Sequence, residues 1–419
     1  MSSLNSKTNN LKRVIINILI VTLFIIYPLG SLPFIFIEIY NKKKYAFILL
    51  SIFMGLVSFL IAPTGDLYVH TNEYLYFADF TFLDFLNILP FTIDFIYYFI
   101  SYIFSVNNIP FEYIRFLFVF VSYFLVFNIF HDLSITNEKI VNSKRIYIIF
   151  FLICFFQVLF MVIAIGLRYG LAIYLMVYGI YKLYQKENSK GWIYILLSCL
   201  THFSMVLILF IIFLSRFFKI KKINKLLLLL SPVFIIFGAE IILFIINLFP
   251  FNSFLKEKII LYVTGYWGNE FLQNHSFLYR ISRLMEHISI FPLLLFIFVT
   301  NIKNKLSGIV LSMSILIFIL YPVTNLFYRF SQVILFVFLI SFILSYNKTK
   351  LHNYFLIIIF ITSTFTFLFG SIYSHKRNFI ISNEYKILYA SIPLILNSNY
   401  NQKWIVTHIT TNGDIIGNK

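Results

Sequence analysis

The sequence predicts an all-α, polytopic integral membrane protein with about ten to twelve transmembrane helices and possible re-entrant segments. Three observations predict it. The 419 residues are 60% hydrophobic and only 12% charged, whereas a soluble domain is about 45–50% apolar and about 25% charged. Mean hydropathy is +0.90. Apolar runs close to the roughly 20 residues that cross a bilayer core recur along the chain. Such a composition cannot cover a water-facing surface. It excludes a soluble enzyme, a disordered chain and a nucleic-acid-binding domain. The net charge of +17 sits in short breaks between apolar runs and reads as a topology signal.

The runs are 14–39, 45–62, 112–130, 146–166, 168–184, 226–249, 287–300, 308–327, 329–346 and 352–373. Two more, 93–106 and 192–215, are ambiguous. The first run continues past Pro28 and Pro33 to Tyr40 with no small-residue cleavage site, so no cleavable signal peptide is expected. Basic breaks carry Lys42–Lys44, Lys144 with Arg145, Lys182 to Lys190, Arg216 to Lys225, Lys303 with Lys305, and Lys348 with Lys350. Short basic loops stay cytoplasmic. Segments 63–95 and 250–285, with Arg168 and Arg329, then fall on the outer side. Segment 93–106 must lie in the interface or re-enter. Segment 192–215 has Lys on both flanks. It is either a hairpin with Thr201-His202 at its tip or one crossing helix with a basic loop on the wrong side. Residues 1–373 form one transmembrane domain, and 374–419 a tail whose 386–397 stretch is too short to span. Cys154 and Cys199 lie inside apolar runs and read as buried thiols.

Ionisable residues within or beside membrane spans are the first functional candidates, because each is costly there unless paired or wet. Gly65-Asp66-Leu67-Tyr68-Val69-His70, followed by Glu73, opens an outer loop that holds no Lys or Arg through residue 95. It is either a catalytic lip, with a carboxylate or imidazole taking a hydroxyl proton, or a loop acidic because basic ones are retained inside. Arg168 stands between two runs with Gly166 and Gly170 beside it. It is a snorkelling anchor or a two-pronged clamp for a diphosphate or carboxylate. His202 lies mid-segment, where a neutral imidazole still needs partners. Segment 250–285, with the two residues after it, mixes Tyr266, Trp267 and Tyr279 with Arg280, Arg283, Glu286 and His287. That mixture suits sugar rings and a membrane interface equally. Arg329 again falls between two runs. There is no phosphate loop, no Gly-x-Ser-x-Gly elbow, no Asp-x-Asp pair and no metal-ligand spacing. No metal or other cofactor is expected.

Three stretches resemble the EpsG/Wzy-type family of bacterial polysaccharide polymerases. They are Gly65-Asp66…Tyr68…Tyr74; then Leu167-Arg168-Tyr169-Gly170-Leu171-Ala172 leading to Leu197-Ser198-Cys199-Leu200-Thr201-His202-Phe203-Ser204; and Tyr328-Arg329-Phe330. The clear part spans 166–216. The family often has Gly-Thr-Asp where this chain has Thr64-Gly65-Asp66. The resemblance implies an enzyme of the bacterial plasma membrane. It would join oligosaccharide repeat units carried on a polyprenyl diphosphate, at the outer face, for capsule, O-antigen or exopolysaccharide. Expected partners are that lipid-linked oligosaccharide, membrane lipid, a flippase and a chain-length regulator, with no nucleic acid. Arg168 and Arg329, helped by Arg280 or Arg283, are expected on the diphosphate. His202, Asp66 or His70 is expected to be the base, and Tyr68, Tyr169 and Trp267 to contact sugar. A ligase of finished polymer and a flippase of the same units are the alternatives.

Overall fold

The computed structural model describes residues 2–217, 230–248, 256–257, 260–261, 263–265, 277–300, 304–373 and 376–416. Among them there is no strand, only one isolated bridge between Ile409 and Ile415. That follows from composition, since an apolar chain in lipid must satisfy its backbone groups within its own helices.

The N-terminal part runs α1 (Ser2–Ile26), α2 (Pro28–Tyr40), α3 (Lys44–Phe59), α4 (Asp66–Tyr76), α5 (Phe82–Ile88), α6 (Phe95–Val106) and α7 (Phe111–Thr136). Then come α8 (Glu138–Val141), α9 (Lys144–Gln157), α10 (Phe160–Ala164), α11 (Leu167–Ile180), α12 (Gly191–Thr201) and α13 (Val206–Phe217). The second half holds α14 (Ser231–Leu248), α15 (Phe277–Glu286), α16 (Ile290–Val299), α17 (Ser307–Leu320), α18 (Thr324–Ser345) and α19 (Lys350–Phe367). The tail adds α20 (Lys376–Ile381), α21 (Ile392–Leu396) and α22 (Gln402–His408).

Three described helices are long and apolar enough to cross a membrane: α7, α18, and α19 with its π-helical continuation to Tyr373. A fourth joins them if α15 and α16, bent by 45°, form one span. Most of the other apolar runs among the described residues fall into shorter helices, because breaks divide them. Pro28 and an extended Tyr27 split 14–39 into α1 and α2. Tyr45 at the start of α3 donates to Asn17 in α1 at 2.9 Å, so the chain returns to the level of mid-α1. Run 146–166 is likewise not continuous. It unwinds after Gln157 and again around Gly166. Arg329 is not a linker residue, since α18 begins at Thr324 and carries it in its second turn.

Segment 192–215 is two helices broken at His202, whose backbone is extended (φ −152°, ψ 116°). Trp192 near the start of α12 stacks on Phe213 near the end of α13, with ring centroids 5.4 Å apart. Both ends of the segment therefore lie together, which is the hairpin geometry with His202 at its tip.

The core is built on α7, α11 and α18, with α18 buried along most of its length. Gly170 permits the fold back from α10 to α11. A Cβ there would lie 2.4 Å from the Ile163 Cα and 2.8 Å from the Val162 carbonyl oxygen. Neither backbone atom can retreat without moving a helix. Gly170→Ala is expected to destabilise the protein by about 1–3 kcal/mol, read as a lower Tm of detergent-purified protein. An unchanged Tm would contradict this packing.

The segment after residue 375 folds back on the ends of α3 and α7. Tyr400 donates its hydroxyl to the Leu60 carbonyl at 2.6 Å and its N–H to Glu112 at 2.8 Å. Ser382 accepts the Ala62 N–H at 2.9 Å, and Thr64 donates to Asn378 at 3.1 Å. Gly65, at φ +57°, donates its N–H to the Gly413 carbonyl at 2.9 Å. Beneath these contacts Arg115 is buried and donates to the Phe59 carbonyl at 2.7 Å. The carboxylates acting on its charge are Glu112 and, from the tail, Glu384. The tail thus supplies part of the countercharge for a buried cation that would otherwise be costly.

Candidate functional site

The site is built around Asp94. It occupies the N-cap position of α6 but makes no cap bond to that helix. Its carboxylate serves three partners elsewhere. Oδ1 accepts the Phe203 N–H at 3.0 Å, a donor freed by the break at the hairpin tip. The His202 Nδ1 lies 3.2 Å from both Asp94 oxygens, and the Arg168 Nη1 lies 3.2 Å from Oδ2. Burial alone would raise the Asp94 carboxyl. The His202 bond and charge, the Phe203 N–H and Arg168 outweigh it and hold Asp94 below the usual carboxylate range. The stabilisation from this contact is therefore present above the ordinary carboxylate range. It is lost only as pH falls through the lowered folded value.

Three separate breaks in helix make the meeting possible. Arg168 sits in the first turn of α11, just after Gly166, and Asp94 directly before α6. His202 is the extended residue between α12 and the short 3-10 turn Phe203–Met205. The Arg168 guanidinium lies 5.3 Å from the Tyr97 ring and 5.8 Å from the Tyr98 ring. Its Nη1 also donates to the Tyr98 hydroxyl at 3.3 Å, and that hydroxyl donates to Glu73 at 3.4 Å. Glu73 pairs in turn with His70 Nδ1 at 3.1 Å. Burial opposes its ionisation, but His70, Arg168 and Tyr98 hold its carboxyl below the usual range. On the other side of His202, the Tyr169 ring packs edge-on at 5.5 Å, and Arg329 lies 5.9 Å from the Tyr169 ring. The Tyr169 and Ser204 hydroxyls are buried with no hydrogen-bond partner among the described residues. Buried hydroxyls are normally bonded, so these two stand out beside His202 as unsatisfied polar atoms.

A second polar group lies across the start of α18. Arg283 pairs with Glu286 at 2.9 Å and donates to the Tyr279 hydroxyl at 3.0 Å, and its guanidinium is 5.9 Å from the Tyr328 ring. His287 stacks on Tyr328 at 4.9 Å and meets the Ser331 hydroxyl at 2.7 Å. Tyr328 and Arg329, neighbours in sequence, thus face the two groups.

Of the residues singled out from sequence, His202, Arg168, Tyr169 and Arg329 come together, and His70 joins them through Glu73 and Tyr98. Arg283 lies in the second group, and Arg280 is exposed on α15. Asp66 is exposed at the first position of α4, and among the described residues no hydrogen bond or ion pair joins it to the array. Tyr68 packs with the tail, beside Tyr400, Ile405 and Ile409. Trp267 lies outside the described residues. Asp94 and Tyr98 were missed. The signal was present, in an aspartate directly before an apolar helix of 12 residues, too short to cross a bilayer. Among the described residues no three His, Cys, Asp and Glu side chains form a group that could hold a metal ion.

These elements define an all-helical, strongly apolar protein organised round a buried arginine–aspartate–histidine contact. The chain belongs to the EpsG family, whose model matches residues 66–391, more than three quarters of its length. The matched stretch holds the whole array from His70 to Arg329. No curated protein and no solved structure matches the chain. Family membership supports a polymerase-type role in polysaccharide biosynthesis, and with the apolar helices it supports a membrane protein.

Proposed function

We propose that the protein is a multi-pass glycosyltransferase of the bacterial plasma membrane that joins polyprenyl-diphosphate-linked oligosaccharide repeat units at the outer face. The shorter apolar helices complete the membrane domain beside the spanning ones. The observation that carries the reading is the double contact of Asp94 with His202 and Arg168. An acidic group that orients a histidine and touches a cation suits a transfer in which a hydroxyl loses a proton while a diphosphate departs.

In this reaction the acceptor sugar's hydroxyl oxygen forms a bond to the donor's anomeric carbon. The bond from that carbon to the phosphate oxygen breaks, and the diphosphate leaves with the electron pair. The proton goes to His202. Asp94 accepts from Nδ1–H, which leaves the lone pair on Nε2 to take it. The same carboxylate then stabilises the imidazolium. His202 is preferred over His70 as the base because its side chain is 19% exposed, against 5% for His70. Arg168 is 26% exposed. Its Nη1 is held by Asp94 and Tyr98, and its other nitrogens make no bond among the described residues. They present an edge to two phosphate oxygens. Arg329, on the far side of Tyr169, supplies a second cation, and the Tyr169 and Ser204 hydroxyls supply polar contacts for the sugar.

The test is the glycan profile of a deletion strain. Single lipid-linked units accumulating at the outer face, with the polymer ladder restored by the wild-type gene, support the proposal. Long polymer left on its lipid carrier would point to a ligase, and units trapped inside to a flippase. Either would overturn it.

A further inference from the structure

A cleft of about 250 Å³ opens where the tail meets α4 and α7. We propose that it is a carbohydrate subsite that holds one neutral sugar of the glycan, away from the bond being made. The inference rests on the polymerase reading above.

The lining carries the argument. Asn108, Asn399 and Gln402 face the cleft with side-chain amides that bond to nothing else among the described residues. Glu112 lines the cleft and gives one carboxylate oxygen to the Tyr400 N–H. The Tyr74 and Tyr400 rings supply apolar wall. Amides and a carboxylate pair with hydroxyls in both donor and acceptor roles, and aromatic rings suit the C–H face of a pyranose. No Lys or Arg lines the cleft. It is therefore not another phosphate site, and the cations stay at Arg168 and Arg329. Its position fits as well. Helix α4 turns His70 and Glu73 toward the reaction array and presents Thr71 and Tyr74 to the cleft. The same helix therefore borders both the reaction array and the cleft. The tail lines the side opposite α4 and α7, so the fold-back of residues 399–405 completes the site.

The test uses the full-length protein in proteoliposomes. The substrate is the lipid-linked repeat unit extracted from the deletion strain. The binding probe is the same oligosaccharide freed from its lipid by mild acid. Asn399→Ala with Gln402→Ala removes two exposed amides that hold no part of the fold, and Asn399→Trp fills the cleft. Both variants should bind the free oligosaccharide about tenfold more weakly, the loss expected for two hydrogen bonds. They should make markedly shorter polymer while still joining the first two units at the wild-type rate. Unchanged binding and chain length would overturn the subsite, as would loss of the first coupling, which would place the cleft in the chemistry. If the wild type itself makes no polymer, the polymerase reading fails instead, and the two failures are told apart by that control.

Discussion

Asp94→Asn is expected to abolish polymer while the protein still reaches the membrane and keeps its Tm within a few degrees. The amide is the same size and can still accept the Phe203 N–H. It cannot hold His202 in the tautomer with Nε2 unprotonated, since its NH₂ can face Nδ1 as a donor. It also withdraws the negative charge that stabilises the imidazolium and balances Arg168. An aspartate that orients a catalytic histidine is worth about 10⁴ in rate in the serine-protease triad. A loss of at least about 10²-fold is expected here, read as the rate of repeat-unit coupling in proteoliposomes. A mere change in chain length, with the coupling rate intact, would remove Asp94 from the reaction.

Arg168→Lys is expected to be nearly as damaging, although charge is conserved. The guanidinium has five donors in a fixed plane. Here Nη1 is committed to Asp94 and Tyr98 within 3.3 Å, and the remaining edge is left for a ligand. An ammonium is a point charge that can satisfy Asp94 or a phosphate oxygen, but cannot hold both in one geometry. It also loses the guanidinium's contact with the faces of Tyr97 and Tyr98. Each charged hydrogen bond lost costs about 1.5–3 kcal/mol. Two such losses correspond to a fall of about 10²-fold or more in kcat/KM. The KM for lipid-linked donor should rise, and the free oligosaccharide should bind as before. Wild-type kinetics in Arg168→Lys would make Arg168 an interface anchor.

The helical membrane class was legible in composition, because an apolar chain in lipid leaves its backbone almost no other choice. Arg168 and His202 were legible because a charged or polar group in an apolar run stands out. The break at His202 was foreshadowed by lysines on both flanks of its segment. Asp94 was not legible as a partner. It lies 108 positions from His202, and the short apolar helix that follows it marks the residue without indicating its partner. Asp66, the more conspicuous aspartate, stays exposed on α4. The run boundaries also misled at Arg329. Hydropathy placed a linker where α18 has already begun, because Asn325 and Arg329 interrupt the apolar pattern without ending the helix. The tail was opaque for the same reason as Asp94. Its anchors are single long-range bonds, such as Tyr400 to Leu60 across 340 positions, and no periodicity announces them.

The most direct test of the central claim is reconstitution. Purified wild-type protein in proteoliposomes would receive only the lipid-linked repeat unit from the deletion strain. A ladder of glycans lengthening by whole repeat units is expected, with one free polyprenyl diphosphate released for each bond made. With the Asp94→Asn protein only the single unit should remain. An unchanged single unit with the wild-type protein, or a ladder formed equally well by Asp94→Asn, would contradict that claim.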